Sequence, residues 1–146
     1  MKKILAAIDF SEATPRLMEQ AEKLALGLGA HLWLVHVEPP DPEFVGYDAG
    51  PQSVRNGVAR EIHRDHQTLQ DLADNCRAVG VETTALLLQG PSADAITGKA
   101  EELGVDFIIM GSHGRTGLRK LLMGSVSEQV MREAHCPVMV VKGYRE

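Results

Sequence analysis

The residues best placed to do chemistry are glycines and serines late in the chain. Asp106-Phe-Ile-Ile-Met110 runs into Gly111-Ser-His-Gly114, and nine residues separate Gly114 from Gly124-Ser125-Val126-Ser127. Glycine at 111 and 114 removes the Cβ atoms that would hold an anion away from backbone N–H groups, and it permits the positive φ values of a cradling loop. Gly124-Ser125 precedes a periodic run, Val126, Val130, Met131 and Ala134, that predicts a helix. The first N–H groups of a helix lack partners, and its dipole adds roughly half a positive charge there, so an anion against Ser125 and Ser127 is favoured. Ser125-Val-Ser-Glu128 also reads as a capping box, which accounts for Ser125 and Glu128 with no ligand present. The two readings are compatible.

Other reactive side chains are less organised. Asp9 ends an apolar run and could bond a ligand edge, hold a divalent cation beside phosphate, or simply cap a strand end. Arg115, Arg119 and Lys120 fall in the nine-residue spacer, as solvated charges or as phosphate contacts. His113 lies inside the glycine loop, where its charge could tune phosphate affinity or where it merely fills the spacer. His63 and His66 stand i, i+3 on a helical pattern with no third metal ligand evident, so they are expected at the surface; His36 is expected as a hydrogen-bonded core histidine. There is no G-x4-G-K-[ST] and no G-x-G-x-x-G. No nucleophile, base and orienter stand at recognisable spacing, so a binding protein is expected rather than a turnover enzyme, with no catalytic residue assigned and at most slow hydrolysis of a bound phosphate group.

The Gly-x2-Gly-x9-Gly-Ser spacing after a hydrophobic strand resembles the nucleotide-binding signature of the universal stress protein family. The ending His135-Cys-Pro-Val-Met-Val-Val141 and the opening Lys3-Ile-Leu-Ala-Ala-Ile-Asp9-Phe-Ser11 are similar to that family as well. The resemblance implies bound ATP, or ADP or AMP, accompanied by Mg or Mn. Gly111, Gly114, Gly124, Ser125, Val126 and Ser127 would then hold phosphates or ribose, and Met110 would border the ribose. Ala7, Asp9 and Val37 would line the adenine side, with Asp9 reaching the metal. One departure is Ala7-Ile8, where nucleotide-binding members often show proline or valine and then a small or polar residue. Two other readings stand beside this one: a stress protein that binds no nucleotide and acts only as an interaction module, and an adenylyl-transferring or ATP pyrophosphatase-type enzyme. The enzyme would want an S-G-G-x-D-S type loop where this chain has Asp9-Phe10-Ser11-Glu12.

The elements that must position these residues follow from patterning. Ile4–Ile8, His31–Val37, Glu82–Leu88, Asp106–Met110 and Val138–Lys142 are short apolar runs of the kind expected in a parallel sheet covered on both faces. Between them, Leu17, Ala21, Leu24, Ala25 and Leu28 recur at helical spacing. So do Val54, Val58, Ile62, Leu69, Leu72, Cys76 and Val79, and a shorter helix is expected over 92–103. Gly27, Gly29 and Ala30 are expected to stop the first helix near residue 28, and Gly80 and Gly104 to end the other two. Pro39 to Pro51 holds four prolines and two glycines in thirteen residues and is expected as a long surface loop at the ligand edge, either able to lie over a nucleotide or disordered. The fold class is therefore α/β: a doubly wound, open, parallel five-stranded sheet with helices on both faces. The family resemblance implies strand order 3-2-1-4-5, which opens a crevice at the carboxyl ends of the first and fourth strands.

With 146 residues and 44% hydrophobic content, one domain covering 1–146 is expected. A net charge of −5 argues against nucleic-acid and anionic-membrane partners. Cys76 and Cys136 make no disulfide framework and are expected as free buried thiols. The apolar stretch before Asp9 is too short for a signal peptide, and a cytoplasmic protein is expected. The apolar last strand, Val138 to Val141, would lie at a sheet edge; family members pair it across a two-fold axis, which implies a homodimer.

Overall fold

The computed structural model describes residues 1–38, 52–112 and 125–142, with side chains in the long helix from residue 60 onward. Five strands, β1 (Lys3–Ala7), β2 (His31–Glu38), β3 (Thr83–Gln89), β4 (Phe107–Gly111) and β5 (Val138–Val141), form one sheet in the order β3-β2-β1-β4-β5. All four pairings are parallel. The helices are α1 (Thr14–Leu28), α2 (Gln52–Ala78), α3 (Ser92–Leu103) and α4 (Val126–Glu133). This is the expected doubly wound sheet in the expected order.

Alternation along the strands sorts the core into two layers. Ile4, Ala6, Leu32, Leu34 and Ile109 pack with α1 and α2, through Leu17, Met18, Ala21, Leu69, Ala73 and Cys76. Leu5, Val35, Ile108 and Met110 pack on the opposite face with Ala93, Ile96 and Ala100 of α3 and Val130 of α4. Because helices cover both faces, strand residues of both parities are buried, which is why the runs read as continuously apolar. Each fully buried Leu or Ile contributes about 1.5–3 kcal/mol.

Helix ends follow local chemistry. Gly29 (φ 61) and Gly104 (φ 65) take the left-handed conformation that stops α1 and α3, their N–H groups returning to carbonyls of the last turn. At the start of α1 the N-cap is Ala13, with no side-chain cap bond; Ser11 shapes the turn before it, its carbonyl accepting from Thr14 N–H at 3.0 Å and its hydroxyl from Ala13 N–H at 3.3 Å.

Several expected core positions lie outside the core. Leu28 (47% exposed) and Val79 (52%) stand at or past the helix end, where the chain has already turned away, while Met18 takes an unexpected inward place on α1. In α4 the inward residues are Ser127 and Val130 with Ala134 behind them, and Val126 and Met131 face outward. Cys76 is buried as expected, whereas Cys136 is only half-buried. The side chains of Val54 and Val58 and the Pro39–Pro51 loop lie outside the described residues.

Candidate functional site

The crevice at the centre of the sheet's carboxyl edge is set by one register. Ala7, the last residue of β1, stands opposite Met110 of β4 and, on its other side, Val35 of β2. Asp9 therefore leaves β1 beside the point where Gly111 ends β4. The chain leaves β1 toward β2 and enters β4 from the far face, so nothing in the sheet closes the gap between those two exits. Ala7, Val37 and Met110 all face the α3/α4 layer and pack against one cluster, which also holds Val130 of α4. Three expected ligand-side residues from three strands are thus brought to one patch.

The exit of β1 is tightly constrained. Ile8 N–H donates to Val35 O at 2.7 Å, continuing the ladder one residue past the strand. Asp9 Oδ1 accepts from Ser11 N–H at 2.9 Å, a local turn that orients the carboxylate. Phe10 between them has φ 58, the left-handed region a bulky side chain rarely takes, and it is the only such non-glycine among the described residues. The strain is held by packing: the Phe10 ring meets the His36 imidazole at 4.4 Å between centroids.

On the other lip, Gly111 pairs with Val141 of β5, and Ser112 N–H donates to Val141 O at 3.0 Å. Ser125 caps α4 with extended backbone, its hydroxyl accepting from Glu128 N–H at 3.2 Å and lying 3.1 Å from the Ser127 hydroxyl. The Ser125 half of the capping box is thus formed, and Glu128 Oε1 also accepts from Arg132 at 2.8 Å. Ser127 is buried and Val126 is exposed. Gly114 and Gly124, with His113, Arg115, Arg119 and Lys120, lie outside the described residues.

Histidines separate by environment. His63 and His66 are exposed, as expected. His36 is buried, with Nδ1 donating to Ile8 O at 2.6 Å, also as expected. What patterning missed is its company: Glu38, two residues on and on the same strand face, and Asp65 of α2, one helical turn before the buried Leu69. An acidic residue on the apolar stripe of α2 was the available signal, since a carboxylate is rarely placed there without a partner.

Among the described residues no helix is long and apolar enough to cross a membrane. The sequence profile of the universal stress protein family matches residues 1–142. A universal stress protein of Methanocaldococcus jannaschii is 33% identical over 142 residues, covering 97% of this chain and 82% of its own. Among solved structures, that of MJ0577 superposes with a TM-score of 0.82 at 30% identity, covering 99% of this chain and 98% of its own. A universal stress protein of Archaeoglobus fulgidus, solved in complex with dAMP, superposes with a TM-score of 0.70 at 24% identity, covering 96% and 97%.

Proposed function

Because the chain belongs to the universal stress protein family, we propose that it is an adenine-nucleotide-binding member, taking ATP, ADP or AMP with Mg or Mn in the β1/β4 crevice. What supports this reading is that β1 and β4 pair so that Asp9 and Gly111 follow neighbouring strand ends, and that the Gly-x2-Gly-x9-Gly-Ser spacing leads from Gly111 to the serine-capped start of α4. Ala7, Val37 and Met110 supply an apolar seat for the base and ribose. Gly111, Gly114, Gly124, Ser125, Val126 and Ser127 supply backbone donors and hydroxyls for phosphate. Asp9 meets the ribose, the base edge or the cation that accompanies the phosphates. That an Archaeoglobus protein of this fold was solved with dAMP sets which ligands are tried first.

In this reading the protein is a cytoplasmic binding module of the stress response whose nucleotide state is its signal, with at most slow hydrolysis. It acts as a homodimer. β5 is an edge strand with β4 as its one sheet neighbour among the described residues, and Met139 on it is exposed, as are Val126 and Met131 of α4.

Purified protein is denatured and released nucleotide identified by mass spectrometry, followed by titration of the emptied chain with Mg-ATP. Bound adenine nucleotide, or saturable one-to-one titration, is the expected result. Gly114→Val should weaken ATP at least tenfold in a folded chain, by placing a branched side chain where phosphate meets backbone. An empty protein that gives no heat with Mg-ATP turns the reading into that of an interaction module free of nucleotide.

A further inference from the structure

On the α1/α2 face of the sheet, three ligating side chains meet in a nearly dry place. His36 Nε2 lies 3.2 Å from Glu38 Oε1 and 3.6 Å from Asp65 Oδ2, and the three ligand atoms all lie within 4.8 Å of one another. The side chains are 6%, 14% and 12% exposed. We propose that His36, Glu38 and Asp65 form a binding site for a divalent transition ion of the zinc class, which locks the carboxyl end of β2 to α2.

The imidazole decides the chemistry. Ile8 O can only accept, so the 2.6 Å contact requires the proton on Nδ1. In the neutral ring Nε2 then carries a lone pair, and that lone pair faces two carboxylate oxygens. Nε2 forms no hydrogen bond among the described residues, although Glu38 Oε1 is near enough for one. A protonated Nε2 would draw a carboxylate to about 2.7–2.9 Å along its N–H. The two separations from Nε2, 3.2 and 3.6 Å, instead bracket the spacing around a tetrahedral ion: bonds of about 2.0–2.1 Å to nitrogen and oxygen place neighbouring donors about 3.3–3.4 Å apart. A ring whose second nitrogen donates to a backbone carbonyl is also the usual posture of a metal-bound histidine, because that bond fixes the tautomer and aims the lone pair. Phe10 covers the imidazole at 4.4 Å.

The site stands independently of nucleotide binding. Its donors come from β2 and α2, and Asp9 is not among them. It nevertheless reaches the crevice, since His36 holds Ile8 O directly before Asp9. An ion here would join three segments, α2, β2 and the exit of β1.

The test uses the full chain, treated with EDTA, freed of it, and given no nucleotide. Titration calorimetry with zinc chloride should give one ion per chain with micromolar or tighter affinity, and with magnesium chloride at least a hundredfold weaker binding. Asp65→Asn and Glu38→Gln should each weaken zinc at least tenfold. The double change His63→Ala, His66→Ala should leave it within threefold. A second measurement needs no substitution: cobalt(II) added to the unaltered protein should broaden the NMR signals of the His36 and Phe10 rings first. The proposal is overturned if zinc shows no saturable one-to-one binding, if Asp65→Asn and Glu38→Gln fold but bind zinc unchanged, if removing His63 and His66 abolishes binding, or if cobalt broadening centres on those two exposed histidines.

Discussion

Phe10 shows how much a single residue can be asked to tolerate. A left-handed backbone at a Cβ-bearing residue costs about 1–2 kcal/mol, and the ring's contact with His36 offsets it. Removing the ring while keeping the strain is therefore worse than removing both. Phe10→Gly should be more stable than Phe10→Ala by about 1 kcal/mol, the reverse of the usual order in regular structure, as read from urea midpoints. Equal stability would mean the backbone relaxes on losing the ring. Cys76 makes a different prediction. Burial, and then the charge of Glu22 whose Oε1 is 3.5 Å from Sγ, push its thiol up to about 12. Below the ordinary thiol range both folded and unfolded chains hold the proton, so the stability tied to it is fully present. Above about 9 the unfolded chain releases it first, and stability falls by up to ~1.4 kcal/mol per pH unit until the folded thiol titrates. Cys76→Ala should lose stability at neutral pH from its cavity, yet fall less steeply than the parent over this alkaline range. At this scale the sequence was least legible: the polarity of Asp65 and the strain at Phe10 depend on neighbours more than twenty residues away, or on backbone angles that no residue type announces.

At the scale of elements, α4 carries the site's most exposed assumption, that one serine both caps the helix and meets an anion. Ser125 accepts from Glu128 N–H at 3.2 Å, so Ser125→Ala should cost about 1 kcal/mol of stability, a drop of about 2–4 °C in Tm. If the same hydroxyl also serves phosphate, the difference between variant and parent should widen when Mg-ATP is added. An unchanged difference would leave Ser125 a cap alone. Strands were the easiest elements to read, because burial on both faces writes them as unbroken apolar runs. Helix faces were harder. Leu28 and Val79 have the right type and spacing, but each stands where the chain turns, and periodicity carries no information about where a helix stops touching the sheet. The glycine stops at 29 and 104 did carry that information. In α4 the helix is only eight residues long, too short for the pattern to fix its inward face, and Val126 and Met131 emerge outward where an inward place was expected.

For the whole molecule, the layering and the position of the crevice follow from strand order, and that order was legible only through the family resemblance, since strand lengths alone allow several. Assembly is the property to test at this scale. Met139→Lys places a charge on the exposed side of the edge strand, where the monomer can solvate it and a paired second copy cannot. Light scattering should report twice the 15.9 kDa chain mass for the parent and the single chain mass for the variant, with circular dichroism unchanged. A parent that runs as a single chain would remove the dimer from the proposed function. One further consequence concerns how the chain is made. β1 occupies the middle of the sheet, and the bond from Lys3 N–H to Asp106 Oδ2 joins residues 103 positions apart. A ribosome adding about 5–20 residues per second brings β4 out roughly 5–20 s after β1. Throughout that interval the growing chain can assemble β1, β2 and β3 with α1 and α2, but one side of its central strand, Ile4 to Ala7, stays unzipped and apolar. The half-made protein is therefore a natural client for whatever holds nascent chains apart, and the crevice at the carboxyl ends of β1 and β4 does not exist until synthesis is nearly over.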